Sequence, residues 1–335
     1  MANLLITGGT GFLGKHVLEK VAQQYDNVYL ITRKSKNNTV VKTVLDKFNN
    51  VIHVKHDLLN VGLENIVNNK IAEDDVIHLA GLYDFKCSFF DNYMNNIVAL
   101  HNLIFFANQS KTVKKFVFAS SISVAGDFKG VFKEGDYNKG QKFPDSYSFT
   151  KFRCEGLLGA KGNLFKSYIL RFGILSGDSV EGDFEKLDGP YYLLNVLKKI
   201  KKNIPLLSYI NTSKLPYRKN SIFYLLPVDE AARSLEYCLK NEFVEHFKSF
   251  HCTGQPLAVE EFLKISLRHF GLSDKLSLIK NEKISKLLLK ALNIPEQTLH
   301  YMTNRVVFDV ENMQDFKFID FNDYKNAFFK GVEKL

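Results

Sequence analysis

The chain has 335 residues, with 45 Lys and Arg against 36 Asp and Glu and a net charge of +9, a length that accommodates one large core with a smaller lobe attached. No apolar run approaches the ~20 residues of a membrane span, and the first strand begins too early for a signal peptide to precede it, so a cytoplasmic chain starting at Met1 is expected. Cys87, Cys154, Cys238 and Cys252 are scattered without metal-ligand spacing and read as reduced thiols, leaving no metal to expect, while the positive excess comes with no nucleic-acid motif.

Residues 3–7 read as a short buried strand, and from Phe12 a helical spacing runs through Leu13, His16, Val17, Lys20 and Val21. Between them Gly8, Gly11 and Gly14 sit on the strand-to-helix joint. Gly8 suits a tight turn, Gly11 lets the backbone approach a pyrophosphate, and Gly14 lets the helix lie close to the strand, with the helix N-terminus attracting phosphate charge. A purely structural turn is the alternative, but this placement favours a dinucleotide site. Predicted strands at 28–32, 51–55 and 76–80 and a helix at 39–48 continue the alternation that marks a parallel sheet wound by helices. A long helix at 92–108, a strand at 115–120, a helix from 146 to about 161 and a strand at 165–172 bring the sheet to at least six strands.

After Gly173 the pattern changes. Gly177, Gly182, Gly189, Pro190, Pro205 and Pro216 interrupt short segments around one helix at 191–202. Residues 221–227, a helix at 228–240 and a strand at 249–253 return to the main fold, and 257–335, mostly helical with a break at Pro295, completes the lobe. The expected architecture is α/β, a doubly wound parallel sheet of the Rossmann type: a dinucleotide-binding domain over 1–172 and 219–256, and a smaller, mostly helical substrate lobe over 173–218 and 257–335.

Tyr147 and Lys151 are one helical turn apart and share a face. A free phenol, with a pKa near 10, exchanges protons poorly at neutral pH, and an adjacent ammonium favours the phenolate, which would make Tyr147 a usable general acid/base. The strand ending Ala119-Ser120-Ser121 delivers hydroxyls to the carboxyl edge of the sheet, where ligands sit in doubly wound folds. Ser121 is the candidate to hold a substrate carbonyl, whereas Ser120 and Ser123 read as turn-formers and His78 as a satisfied core residue. At the end of the second strand, where an acidic residue would accept from a free ribose 2′-hydroxyl, the sequence has Arg33 and Lys34 instead. That pair suits a 2′-phosphate and favours NADP(H) over NAD(H).

Together these residues resemble the extended short-chain dehydrogenase/reductase superfamily over most of the chain. The stretches 76–81, 96–103 and Leu170-Arg171-Phe172-Gly173 are similar to its strand-four, helix-four and strand-six signatures. The resemblance implies that Tyr147 exchanges a proton with the reacting oxygen and that Lys151 holds the nicotinamide ribose and favours the Tyr147 phenolate. Ser121 would position the carbonyl, with Asn96 either a fourth member of the set or a brace for its own helix. It also implies cofactor contacts along the glycine turn, at Gly8, Thr10, Gly11, Phe12, Leu13 and Gly14. Further along, Arg33, Lys34, Asp57 and Leu58 would meet the adenosine half, although Asp57 could equally cap a turn. Leu79, Ala80, Gly81, Ala119, Phe172 and Ile174, with Tyr147 and Lys151, would line the rest.

Within the superfamily, Arg171 to Ser179 with Gly182, Leu226-Pro227-Val228-Asp229-Glu230, and the tail 299–309 resemble thioester-reductase and male-sterility type reductases, including stand-alone polyketide-tailoring members, with Phe172 where those carry Pro. This resemblance implies NADPH-dependent reduction of a carbonyl or thioester on an acyl or polyketide-like substrate, either a small molecule or an acyl thioester on a carrier supplied in trans. An apolar lobe around Tyr191, Tyr192, Leu193, Phe223 and Tyr224 would suit it, or the same residues are simply core. The cluster Lys198, Lys199, Lys201 and Lys202 is either a solvated helix face or a docking patch for an acidic carrier. A nucleotide-sugar epimerase or dehydratase is the alternative: against a dehydratase, Ile122 and Ser123 follow Ser121 where those enzymes have Asp-Glu, and against an epimerase, which typically holds NAD, stands the Arg33-Lys34 pair. A catalytically silent NADPH-binding regulator is a third reading, and a homodimer through the helices at 92–108 and 146–161 is possible.

Overall fold

The strands at the centre are apolar without alternation because helices cover both faces of the sheet and leave neither to solvent. In the computed structural model, which describes residues 2–33, 38–63, 75–83, 87–110, 112–185, 189–202, 214–281 and 303–334, β1 (Asn3–Thr7) is buried at all five positions. Helix α1 (Phe12–Val21) leads to β2 (Asn27–Thr32), and α2 (Asn38–Lys47) leads to β3 (Val51–Lys55) and β4 (Asp75–His78). Helix α3 is one long rod in three parts, Phe89–Asn92, a π-helical stretch Tyr93–Val98, and Ala99–Ser110. It precedes β5 (Lys115–Ser121), the short β6 (Val131–Phe132), α4 (Ser146–Leu158) and β7 (Lys166–Phe172). Then come β8 (Ile174–Ser176), α5 (Tyr191–Lys202), β9 (Lys214–Tyr217), β10 (Ile222–Pro227), α6 (Val228–Lys240) and β11 (Phe247–Cys252). The chain ends with β12 (Pro256–Ala258), α7 (Val259–Phe270), β13 (Ser277–Lys280), β14 (Val307–Phe308) and α8 (Phe321–Glu333).

Seven parallel strands form the main sheet in the order β11-β7-β5-β4-β1-β2-β3. The order reverses between β1 and β4, and at such a switch point the two flanking loops part to leave a crevice at the carboxyl ends of the strands. The register carries the glycine turn after β1 to that crevice beside Leu79 and Ala80, since Thr7 pairs with His78. It also aligns Ser120 with Arg171 and Ser121 with Phe172 across β5 and β7.

Residues 221–227 do not rejoin the main sheet. Instead β10 pairs in parallel with β8 and antiparallel with β12 in a separate three-stranded sheet, because its side chains serve two cores: Leu226 packs with Ala231 and Leu235 of α6, while Phe223 and Leu225 join Tyr191, Leu194, Phe262 and Phe328 in the lobe. The segment after 303 divides in a way that hydropathy did not reveal. Strand β14 pairs with β6, and Met313, Phe316 and Phe318 pack in the main core, where the Arg233 guanidinium lies 4.0 Å from the Phe316 ring; α8 alone goes back to the lobe. The predicted break at Pro295 lies outside the described residues. No helix among the described residues is long and apolar enough to cross a membrane.

Candidate functional site

The turn after β1 is shaped by what cannot fit there. Gly8 has φ +73°, and a Cβ on it would lie 2.5 Å from the amide nitrogen of Ala80; one on Gly14 would lie 2.1 Å from the carbonyl oxygen of Gly8. Gly11 donates its N–H to Gly8 O at 2.8 Å and is the N-cap of α1 with no side-chain cap, so the first-turn amides remain for an anionic ligand. This cradle, which side chains would fill, fits a dinucleotide pyrophosphate.

Two hollows meet at Gly8, Gly11, Leu79 and Gly81. The larger, about 400 Å³, opens between the ends of β5 and α4 and the lobe. Its wall includes Phe12, Leu13, Gly14, Ala119, Phe172 and Ile174. The smaller, about 230 Å³, lies beyond the ends of β2 and β3 and includes Thr10, Arg33, Asp57, Leu58 and Ala80. On that wall Asp57 Oδ1 accepts from Leu59 N of its own loop at 3.1 Å. Lys34 lies outside the described residues.

Ser121, Tyr147 and Lys151 line the larger hollow together. Asp145 starts α4 by accepting from Ser148 N at 2.7 Å, which fixes the helix phase so that Tyr147 and Lys151 face the end of β5. Ser121 Oγ accepts from Ser123 N at 3.2 Å, capping the tight turn Ile122–Ala125. Lys151 is buried; its Nζ donates to Ala119 O at 2.6 Å, 4.6 Å from the Phe118 ring and 5.8 Å from the Tyr147 ring. Loss of solvent pushes this ammonium down to about 8, against the opposing pull of Cys154 and Glu155. His78 is a core residue: it bonds Thr7 Oγ1 through Nδ1 at 2.6 Å, and burial, with Lys151 nearby, pushes it down to about 3.

Asn96 bonds the elements on either side of it. Its Oδ1 accepts from Leu82 N at 2.7 Å, and its Nδ2 donates to Leu82 O at 3.2 Å and Thr150 Oγ1 at 3.0 Å. These bonds tie α3 to α4 and to the loop after β4, and the side chain is not on either cavity wall. The π-helical stretch that holds Asn96 turns its neighbour Asn95 the other way, into the smaller hollow, where Asn95 Oδ1 accepts from Arg33 Nη1 at 3.3 Å.

Several wall residues escaped sequence reasoning. Tyr83 stands edge-on to Tyr147 with ring centres 4.6 Å apart; its place two residues past Gly81 was the available signal. Phe184 and Glu185 arrive from the lobe, and Glu185 pairs with Lys15 of α1 at 2.5 Å. Nothing local marks them. The stretches around Asp178 and Asp229 meet in space: Ser179 donates to the Asp229 carboxylate through N at 2.9 Å and Oγ at 2.6 Å, while the Asp178 carboxylate accepts from the amides of Val180, Glu181 and Asp183. The basic cluster is not a uniform face, because Lys198 is buried and donates to the last carbonyls of α8, Val332 O at 3.2 Å and Glu333 O at 2.7 Å.

A parallel sheet of this order, with a glycine turn at its switch point and a lobe over its carboxyl edge, is a doubly wound α/β architecture of the Rossmann type. The profile of the NAD-binding male sterility protein family matches residues 6–235, and the chain belongs to that family. Among solved structures, the terminal R domain of the myxalamid PKS-NRPS biosynthetic pathway is similar at 17% identity, covering 100% of this chain and 91% of that chain with a TM-score of 0.76. The UDP-glucuronic acid 4-epimerase from Bacillus cereus, in complex with NAD, is similar at 16% identity over 99% of each chain, TM-score 0.71. At such identities the likeness establishes the fold. Among curated relatives, a UDP-glucose 4-epimerase from Cyamopsis tetragonoloba is 33% identical over 139 residues, 37% of each chain. A trifunctional UDP-glucose 4,6-dehydratase/3,5-epimerase/reductase from Arabidopsis thaliana is 28% identical over 187 residues, 54% of this chain and 28% of that protein. The chain thus spans between 28% and 37% of the length of these two relatives.

Proposed function

We propose that this protein is an NADPH-dependent reductase of a carbonyl or thioester on an acyl or polyketide-like substrate, with Tyr147 as the acid. The make-up of the larger hollow supports this above all. Opposite Ser121, Tyr147 and Lys151 its wall includes Ile122, Leu175, Phe184 and the carboxylate of Glu185. Among the described residues Lys151 is the only Lys or Arg on that wall, and its ammonium is engaged by Ala119 O. An acyl chain is served by apolar lining, whereas the diphosphate of a nucleotide sugar calls for cationic partners. Arg33 in the smaller hollow, with Asp57 Oδ1 accepting from its own loop, supports a 2′-phosphate and hence NADPH.

The nicotinamide, when bound, supplies the hydride. Tyr147 gives its phenolic proton to the substrate oxygen, the Ser121 hydroxyl donates to the same oxygen, and Lys151 holds positive charge beside the phenolate left behind. With a ketone or aldehyde, hydride and proton add across the carbonyl to give an alcohol. With a thioester, hydride and proton give a hemithioacetal, and as its C–S bond breaks the hydroxyl proton passes to the departing sulfur, leaving an aldehyde and a free thiol. A substrate delivered on a separate carrier is part of the reading, as is a homodimer, to which the exposed aromatics Phe89, Phe90, Tyr93 and Phe105 of α3 lend support.

NADPH oxidation with a panel of aldehydes, ketones and acyl thioesters, beside Tyr147→Phe, tests the proposal. Turnover is expected to fall about 10²–10⁴-fold in the variant with cofactor binding retained. No oxidation on any substrate, with binding intact, would replace the reading by a silent NADPH-binding regulator. The UDP-sugar relatives favour a second reading, a nucleotide-sugar epimerase; conversion of a UDP-sugar without net NADPH consumption would select it.

A further inference from the structure

Glu155 is a buried carboxylate that the proposed chemistry leaves without a role. It lies one helical turn beyond Lys151 on α4, and both side chains are almost fully buried. Their anchors are consecutive residues of β5: Lys151 Nζ donates to Ala119 O at 2.6 Å, and Ser120 Oγ donates to Glu155 Oε1 at 2.6 Å. The pairing of Ser120 with Arg171 between β5 and β7 sets the third member, whose Nη2 meets Glu155 Oε2 at 2.8 Å and whose Nε donates to both carboxylate oxygens. Arg171 is itself held by Glu134 O, Asp136 O and His251 Nε2.

Resting on the reading of Tyr147 and Lys151 as the working pair, we propose that Glu155 is a positioning residue: tethered between Ser120 and Arg171, it sets α4 against β5 and supplies the negative charge that keeps the solvent-stripped ammonium of Lys151 protonated beside Tyr147. The groups facing Lys151 leave no other candidate among the described residues. His78 from β4 stays neutral, and burial pushes the Cys154 thiol up to about 12. Tyr147 is the acid itself, and Phe118 offers only its ring. Around Glu155 stand Ser120, Arg171 and Tyr137, with Glu134, Asp136 and His251 behind Arg171. Burial lowers the Lys151 ammonium, while Cys154 and then Glu155 raise it; with the Cys154 thiol neutral, removing the carboxylate leaves desolvation unopposed.

The test follows the titration of Lys151 itself, by the Cε shift of ¹³C-labelled lysine assigned through Lys151→Arg, in the free protein. That readout is independent of any substrate, so failure of the reductase reading and failure of this inference are distinguishable. In Glu155→Gln the Lys151 midpoint is expected to fall by about one pH unit. Because a lone Arg171 charge in the core could unfold that variant, Glu155→Gln/Arg171→Met removes the pair as a unit and is expected to lower the midpoint in the same direction but by less, since a nearby cation is lost with the carboxylate. Ser120→Ala, which loses the tether but keeps the charge, leaves the midpoint in place. In active protein, the alkaline limb of kcat moves down with the midpoint in the Glu155 variants, a shift that a merely structural loss would not produce. A folded double variant with the wild-type Lys151 midpoint overturns the proposal. So does failure of both Glu155 variants to fold, which would make the carboxylate an element of the fold alone.

Discussion

Replacing Gly14 by alanine tests the phosphate cradle most directly. The added Cβ would lie 2.1 Å from Gly8 O and 2.6 Å from Gly9 Cα, both backbone, where ordinary contact begins at 3.4 Å. Either α1 or the turn must therefore retreat by about 1 Å in an interior packed too tightly to absorb it. Neither is free to move: Val17, Leu18 and Val21 of α1 are fully buried in the main core, and the turn is closed by Gly11 N to Gly8 O and packed against Ala80. Overpacking of this kind costs about 1–3 kcal/mol, and each kcal/mol lowers Tm by roughly 2–4 °C in a domain of ~200 residues. The displaced amides are those that would meet the pyrophosphate, so NADPH affinity should fall about tenfold or more, or ~1.4 kcal/mol. Gly11→Ala is the contrast, because its Cβ meets only Gly8 O, at 3.2 Å. That variant should keep its Tm within about 2 °C yet bind NADPH weakly, the methyl facing the hollow. Thermal melting without cofactor and fluorescence titration with NADPH measure the two effects separately. A Gly14→Ala protein that melts and binds like the parent would refute the reasoning.

Stability should fall as pH is lowered from 6.5 to 4.5. Burial pushes His78 and His251 down to about 3, so the stability they contribute is present above 6.5 and lost as pH falls towards 3; Glu134, pushed up to about 7, acts in the opposite sense, its contribution being lost as pH rises through 7. Two protons gained against one released on unfolding give a net slope of about 1.4 kcal/mol per pH unit. Melting temperatures over that range, with His78→Asn expected to flatten the slope, check the sign; a Tm that holds or rises on acidification contradicts it. Arg33→Ala should lower affinity for NADPH about tenfold or more while leaving NADH nearly unchanged. Titration with both cofactors decides, and equal losses for the two would mean that Arg33 does not read a 2′-phosphate.

Much of the wall of the candidate cleft was legible because the residues concerned lie at short-range spacing. Gly8, Gly11 and Gly14 lie on one joint, and Tyr147 and Lys151 lie one turn apart, so strand and helix periodicity alone bring each group to a common face. Ser121 was legible for a related reason, since a strand end in a wound sheet points to the crevice. What the Asn96 amide meets was not legible, because its partners Leu82 and Thr150 come from other elements.

By itself the sequence determined the alternation of strand and helix, the glycine joint and the face shared by phenol and ammonium, all properties of residues within a few positions of one another. Tertiary structure decided which distant residues those groups meet. It seated β10 in a second sheet, returned Met313, Phe316 and Phe318 to the main core, and brought Phe184 and Glu185 to the wall of the hollow. It also buried Lys198 against the end of α8 and set Arg171 across from Ser120, where Glu155 joins them. Pairing register and helix packing fix those contacts, and neither leaves a periodic trace at the residues involved.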